Sequence, residues 1–440
     1  MELIINTGNP LHGQASLPGD KSISHRAALF AALAHGESRF SNFLDSGVTR
    51  AMLNALSDLG IKWELAGTNL RVQGAGLAAW RTPDRSVNCG NSGTTMRLLA
   101  GALAATNTQA VLDGSAGLRQ RPMDRVIDPL RHMGALVDAA PGGKAPLSFN
   151  AREQAGKLRG IEYAMPVASA QVKSALLLAA LGAETSTTIC EPYASRDHSE
   201  IMLRAMGVNI FRGDAEGGIT LYPSPTPLKP LEMAIPGDIS SAAFLIVAAL
   251  ITPGSEIVLK NVGLNPTRTG LLDVLSRMGG DIEILPGMAQ YNESIGDIKV
   301  RHSKLHAVEV GGETVVRMID EFPVFAAAAA NAEGISTVRG AEELRYKETD
   351  RIRLLVSALH DFGIPVEEYP DGFKITGGEK YSGGRAAAGG DHRLGMALAV
   401  LGLGSSTATR VQGAQIIGES FPAFVPTLQA LGADVSMHDG

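Results

Sequence analysis

The sequence predicts an α/β protein of two domains, built from six copies of one helix-and-strand repeat, three per domain. Three observations lead there. The chain of 440 residues is too long for one ordinary core and suits two domains of about 200 residues each. A short pattern, Leu-x-x-apolar-Gly followed by an alternating stretch, recurs from Leu56, Leu130, Leu203, Leu275, Leu359 and Leu428. Interleaved with it is a second pattern, in which a polar cluster opens a helix of small apolar residues that ends in a turn and a Ser/Thr/Val-rich strand.

The first pattern reads LSDLGIKWEL, LRHMGALVDA, LRAMGVNIF, LSRMGGDIEIL, LHDFGIPVEEY and LQALGADVSM in its six copies. Its glycines, Gly60, Gly134, Gly207, Gly279, Gly363 and Gly432, are separated by 74, 73, 72, 84 and 69 residues. Each copy predicts a helix ending at a glycine just past its C-terminus, where positive φ is cheap, and running straight into a strand. Near-equal spacing over the whole chain marks a repeat architecture.

The polar clusters of the second pattern are DKSISHR (20–26), GNSGTTMR (90–97), ASAQVKS (168–174), GDISSAA (237–243), DEFPVFA (320–326) and DHRLGMA (391–397). The helices behind them are apolar nearly all round, as buried helices are. The Pro-rich stretch LYPSPTPLKP (221–230) suits a linker. The expected domains are therefore 18–230 and 1–17 plus 231–440, with the strand before Leu17 pairing in the second half and the active site in the cleft between the domains.

Composition narrows the function. Hydrophobic residues at 45% and charged residues at 19% describe a globular chain, and aromatics at 5% leave its core to Ala, Leu, Val and Ile. A formal charge of −6 argues against general affinity for nucleic acid or acidic membranes. Cys89 and Cys190 provide no disulfide framework. The N-terminus MELIINTGNP lacks the features of a signal or transit peptide. The apolar run AAFLIVAALI (242–251) is shorter than the roughly 20 residues that span a bilayer. A soluble, cytoplasmic, bacterial-type protein is expected.

Polar groups at the N-terminus of a buried helix have a consequence. Orphan N–H donors and the positive end of the dipole attract anions there. If such helices point the same way, their ends converge on a place suited to phosphate and carboxylate groups. The alternative is that Ser, Asp and Asn simply cap helices, but it leaves the gathering of basic residues in the same clusters unexplained. PGDKSISHR (18–26) sets Lys21, Ser22 and Arg26 around a helix start, and it is no nucleotide P-loop because Asp20 separates Gly19 from Lys21.

RYKETDRIR (345–353) is the densest cluster. On a helix, Lys347, Glu348 and Arg351 fall within roughly 100° of arc, able to bind an anion and move a proton, or else to form salt bridges on a solvated face. Asp320 reads equally as an N-cap and as a general base. GAGLAA (74–79) has the letters of a dinucleotide fingerprint, yet Pro83 leaves no room for the helix it needs. Ten histidines form no metal set: His302 and His306 have i, i+4 spacing without a further ligand, and His25 and His392 read as capping residues or secondary donors. Cys89 reads as a small packing residue.

The motifs LPGDKSISHR, GNSGTTMRLLAG, RQRPMDR, SAQVKSALLLA, SRDHSE, DEFPV, LRYKETDR and DHRLGMAL, in that order, resemble the 5-enolpyruvylshikimate-3-phosphate synthase family over nearly the whole chain. The resemblance implies the two-domain enolpyruvyl transferase fold of six repeats. It also implies the reaction. The enolpyruvyl group of phosphoenolpyruvate passes to the 5-hydroxyl of shikimate 3-phosphate, releasing phosphate, in the shikimate pathway to aromatic amino acids. No metal or organic cofactor is implied, and the partners are the two substrates, with no nucleic acid, no membrane and a monomeric state. Shikimate 3-phosphate would meet Lys21, Ser22, Arg26, Ser169, Ala170, Gln171, Arg196, Asp320 and Lys347. Phosphoenolpyruvate would meet Lys21, Asn91, Gly93, Thr94, Arg121, Gln171, Arg351 and Arg393. Asp320 would be the base for the 5-hydroxyl, and Glu348 with Lys21 would handle the proton at the methylene carbon.

Three positions depart from the family pattern. Ala170 stands where some members have serine and offers only its backbone. Glu419, in GESFPAF, replaces a lysine, and Leu98 replaces a proline. SRDHSE and GDISSAA resemble the divergent bacterial class, whose glyphosate-tolerant members carry alanine at the position of Gly93. Retention of glycine there predicts appreciable sensitivity to that inhibitor. Two rival readings share related scaffolds. A UDP-N-acetylglucosamine enolpyruvyl transferase is disfavoured by KSISHR, by KETDR and by the lack of a cysteine near Arg121. An RNA 3′-phosphate cyclase is disfavoured by the net charge and few aromatics.

Overall fold

The computed structural model describes residues 1–152, 157–213, 218–223 and 226–439, so residues 224–225 of the expected linker lie outside the described residues. The Leu-x-x-apolar-Gly pattern proves to be one hydrogen-bonded device used six times. In its first copy the helix Gly47–Asp58 stops because Gly60 turns to φ +87°. The Ile61 amide then donates to the Leu56 carbonyl at 2.9 Å and the Gly60 amide to the Ser57 carbonyl at 3.0 Å. These two bonds satisfy carbonyls that the helix end would otherwise orphan. The same long bond returns to Leu130 from Ala135, to Leu203 from Val208, to Leu275 from Gly280, to Leu359 from Ile364 and to Leu428 from Ala433. All six glycines hold positive φ, and the strands Lys62–Ala66, Leu136–Ala140, Asn209–Arg212, Asp281–Pro286, Val366–Tyr369 and Val435–His438 follow them.

The helices behind the polar clusters are Lys21–Leu33, Gly93–Thr106, Ala170–Ala180, Ile239–Ile251, Phe322–Ala330 and His392–Gly404, hereafter the inner helices. Every residue of Ile239–Ile251 and Phe322–Ala330 is buried. Their small residues let backbones come close: a Cβ placed on Gly101 would lie 2.1 Å from the Ala175 carbonyl oxygen of the neighbouring inner helix.

Among the described residues the strands form six four-stranded sheets. In the second repeat the order is Val87–Asn88, Ala110–Asp113, Lys144–Asn150, Leu136–Ala140; the first pair is parallel and the others antiparallel. A parallel pair needs a crossover connection, and the inner helix supplies it. The helix Asp124–His132 and a hairpin complete the repeat.

Two repeats exchange their first strands. The strand His12–Ser16 precedes the inner helix Lys21–Leu33 in sequence, yet pairs in parallel with Glu256–Gly263. Conversely Glu232–Ala234, which precedes Ile239–Ile251, pairs in parallel with His35–Ser41. Glu2–Ile5 lies between Thr409–Gln412 and Val435–His438, so the N-terminal strands pair in the second half, as the sequence suggested. The chain accordingly divides into two compact units, Met1–Asp20 with Pro236–Gly440, and Lys21–Ile235. These crossings fall a few residues beyond the expected 17/18 and 230/231. Glu232–Ala234 is bound to Arg39–Ser41 in one unit, and the Asp20 amide donates to the Pro236 carbonyl at 2.8 Å in the other. Each unit has its own apolar core. Among the described residues, no helix is long and apolar enough to cross a membrane.

The helix-end glycines and the packing glycine should fail differently. Gly134, at φ +96°, has nothing within 4 Å of where a methyl would sit, so Gly134→Ala should cost only backbone strain, about 1–2 kcal/mol. Gly101→Ala must push two helices apart and should cost about 3 kcal/mol or more. Urea unfolding of both variants checks the order; an equal loss would show that the helix contact yields without strain.

Candidate active site

Within the unit Lys21–Ile235 the N-termini of three inner helices are tied together by side chains. From the first repeat, His25 Nε2 lies 3.2 Å from Ser92 Oγ at the cap of the second. From the second, Arg97 donates to the Gln171 side-chain oxygen at 2.5 Å, while Gln171 donates to Thr94 Oγ1 at 2.9 Å. From the third, Ser199 and Ser174 each accept from the Arg26 guanidinium at 2.7 Å, and Arg196 donates to Ser22 Oγ at 3.4 Å. The ring closes. It places Lys21, Ser22, Thr94, Ser169, Ala170, Gln171 and Arg196, all half-buried, at those helix ends.

Gly93 opens the second inner helix beneath two guanidinium groups. A Cβ there would lie 2.9 Å from Arg121 Nη1 and 3.2 Å from Arg97 Nη1. Asn91 is held beside the same turn by the Ser115 hydroxyl, which donates to it at 3.0 Å. Ser92 and Ser169 cap their helices, accepting from Thr95 and Val172. The capping reading is correct for these residues, but it coexists with the gathered cations.

The other unit holds a different arrangement at its inner-helix starts, where arginines alternate with carboxylates. Arg351 is buried and donates to Asp391 at 2.7 Å, to Asp320 at 3.3 Å and to Glu348 at 2.6 Å. Arg393 lies 3.5 Å from the other oxygen of Asp320. Asp391 caps the helix His392–Gly404 by accepting from the amides of Arg393 and Leu394. Burial alone would raise the Asp391 pKa, but the charge and hydrogen bond of Arg351, with His392 adding to them, hold the carboxyl below its usual range. Arg268 forms a second buried knot with Asp20 at 2.8 Å and Asp238 at 3.1 Å. Burial opposes its charge, yet the surrounding carboxylates keep its pKa above the ordinary value.

A solved structure of EPSP synthase from Acinetobacter baumannii matches 99% of this chain and all of its own, with a TM-score of 0.87 at 37% identity. The curated 3-phosphoshikimate 1-carboxyvinyltransferase of Geobacter metallireducens is 46% identical over 96% of this chain and 97% of its own length. That of Citrifermentans bemidjiense is 45% identical over 97% and 98%. The family model described as EPSP synthase (3-phosphoshikimate 1-carboxyvinyltransferase) matches residues 5–428. The chain belongs to the EPSP synthase family. An enolpyruvyl transferase from Streptomyces tendae, 20% identical with a TM-score of 0.79 over 99% of the chain, shares the fold.

For a chain of the EPSP synthase family, two local expectations need correction. Lys347 and Glu348 do not share a helix with Arg351, which is itself the first residue of Arg351–Asp361. Asp350 caps that helix by accepting from the Arg353 amide at 3.0 Å, so the two residues before it lie in a bend after the short 3-10 helix Glu342–Tyr346. Glu348 still reaches Arg351, by bending rather than by helical spacing. Asp320 is not a cap either: Glu321 holds that position and Asp320 faces Arg351 and Arg393.

The remaining candidates settle simply. Burial drives the Cys89 thiol pKa up, which suits a packing residue. His302 Nδ1 lies 2.7 Å from the Leu250 carbonyl, and among the described residues no group of three or more His, Cys, Asp or Glu could hold a metal ion. GAGLAA is strand and loop, with no helix behind it. Leu98 is fully buried in its inner helix, and Glu419 ends the 3-10 helix Ala414–Glu419. Sequence reasoning missed Arg97, Arg268 and Asp391 as site residues. Arg97 was findable, one turn after Gly93 on the same helix face; isolated in NPTRTG, Arg268 gave no local signal.

His25 sets an acid limit on this site. Burial, reinforced by Lys21 and Arg26, lowers its pKa to about 4 from the ordinary 6.5, so it stays neutral within the folded unit. The unfolded chain takes up that proton first, so this stability is full above about pH 6.5 and is lost as pH falls towards 4. By pH 4.5 the loss should be about 2 kcal/mol. Urea unfolding at pH 7 and 4.5 should show a smaller loss in His25→Asn than in the parent; parallel losses would exclude His25 as the group responsible.

Proposed function

We propose that the chain transfers the enolpyruvyl group of phosphoenolpyruvate to the 5-hydroxyl of shikimate 3-phosphate, releasing phosphate. The ring of side-chain bonds around three inner-helix N-termini carries this reading. It gathers Lys21, Arg26, Arg97, Arg121 and Arg196 where helix dipoles already favour anions, and both substrates bring phosphate and carboxylate groups. Lys21, Ser22, Ser169, the Ala170 backbone, Gln171, Arg196 and Lys347 receive shikimate 3-phosphate. Arg26 serves it by positioning, since the guanidinium is buried against the Ser22 carbonyl, Ser174 and Ser199. Lys21, Asn91, Gly93, Thr94, Arg121, Gln171, Arg351 and Arg393 receive phosphoenolpyruvate.

The chemistry requires three proton movements. Protonation of the methylene carbon makes C2 of phosphoenolpyruvate electrophilic, and the 5-hydroxyl must lose its proton to attack it. Loss of phosphate from the tetrahedral adduct, together with a proton from the new methyl group, then restores the double bond. Asp320 takes the hydroxyl proton, and Glu348 with Lys21 moves the proton at the methylene carbon. Arg351 is occupied here by three carboxylates, so an arriving anion must replace Glu348 or Asp320 on it. That exchange frees a carboxylate for proton transfer as substrate binds. Phosphate release from phosphoenolpyruvate should require shikimate 3-phosphate, and release that ignores it overturns the reading. Asp320→Asn and Glu348→Gln should each lower kcat by about 100-fold or more with the fold retained; near-normal kcat in both removes the acid–base assignment.

Glyphosate, which the family resemblance places at the phosphoenolpyruvate site, gives a steric test. A methyl on Gly93 must displace the Arg121 guanidinium, because 2.9 Å is too close for a carbon–nitrogen contact. The longer inhibitor loses more from that displacement than the substrate does. The parent enzyme should be sensitive, and Gly93→Ala should raise the inhibition constant more than the KM for phosphoenolpyruvate. A parent indifferent to the inhibitor would show that another feature sets tolerance.

A further inference from the structure

The inner helix Ala170–Ala180 carries a lysine that solvent does not reach, since Lys173 is fully buried. A buried ammonium needs acceptors for its three donors. Lys173 Nζ donates to Glu191 at 2.9 Å and to the Ser195 carbonyl at 3.1 Å, and is ion-paired with Glu200 at 2.8 Å. Both carboxylates are buried as well. The other oxygen of Glu191 accepts from the Ser195 amide at 3.2 Å and from the Ser195 hydroxyl. Ser195 is thus gripped at its amide, hydroxyl and carbonyl, and Glu200, five residues later, is gripped by the same ammonium.

The stretch between those two anchors is the one the anion site uses. Arg196 reaches Ser22 Oγ, and Ser199 Oγ accepts from Arg26 Nε and bonds Ser174 Oγ at 2.6 Å. Two buried carboxylates around one ammonium are a weak source of stability, because desolvation offsets most of the attraction, and apolar side chains of similar size often serve as well. What the cluster does supply is fixed geometry at both ends of 195–200. We infer that Lys173 is a positioning residue for shikimate 3-phosphate, holding Arg196 and Ser199 at the helix ends where that substrate binds. This rests on the function proposed above.

The test is Lys173→Met combined with Glu200→Met. It removes one positive and one negative charge and leaves Glu191 with Ser195 and with Arg212, 3.6 Å away, so the net charge of the cluster is unchanged. The KM for shikimate 3-phosphate should rise about 10-fold, with kcat and the KM for phosphoenolpyruvate within about 2-fold of the parent. In an Arg196→Ala background the same pair should add about 3-fold or less, since one of the two residues it positions is gone. If the double variant does not fold, Glu200→Gln, which loosens one anchor, should raise the same KM about 3-fold. An unchanged KM for shikimate 3-phosphate overturns the inference, as does an equal rise for both substrates or an effect fully additive with Arg196→Ala. A parent enzyme whose phosphate release ignores shikimate 3-phosphate overturns the functional reading instead, so the two failures are distinguishable.

Discussion

A helix buried on all sides still has one end whose amide protons find no partner inside the helix. The inner helices of this chain meet that constraint with polar side chains. Ser92, Ser169, Asp238 and Asp391 accept from amides of their own helices. Around the capped ends the chain places cations, which the positive ends of the dipoles would repel unless a carboxylate, a hydroxyl or an arriving anion offsets them. Burying these helices therefore gathers polar and cationic side chains at their N-terminal ends.

The inner-helix ends of the two units carry different sets of bonds. In Lys21–Ile235 the cations at the helix ends include neutral groups among their partners: Ser22 for Arg196, Ser174 and Ser199 for Arg26, and the Gln171 amide for Arg97. In the other unit Arg351 and Arg268 are each bound to carboxylates and buried. Removing one partner from such a cluster costs more than the cluster contributes, because a charge is left desolvated.

Small residues make both arrangements fit. Inner helices rich in Ala and Gly approach until Gly101 nearly meets Ala175, which brings neighbouring helix ends within reach of single side-chain bonds. The exchanged strands His12–Ser16 and Glu232–Ala234 complete sheets far from them in sequence. Each unit thereby closes its outer layer of sheets while the chain crosses between units at 20/21 and 235/236.

The six-part architecture was legible in the sequence because its signals are local. Leu56 and Gly60, and their five counterparts, specify a helix end through bonds that span five residues, and the polar clusters mark the opposite ends of the inner helices. Lys21 and Asp320 could be nominated because they stand in those clusters, whereas Gly93 and Gln171, which stand there too, were nominated only through the family resemblance. Local spacing failed where a distant partner decided the conformation. The KETD segment reads as helix, yet Asp350 starts the helix only at Arg351, with Arg345 bonded to that same Asp350. Arg268 gave no signal in NPTRTG because Asp20 and Asp238, which explain it, lie 248 and 30 residues away. Lys173 read as one polar residue at the start of a helix, and only packing showed the two glutamates around it. Hydrogen bonds within a turn are written in the order of residues, whereas the pairing of buried charges depends on which turns the fold brings together.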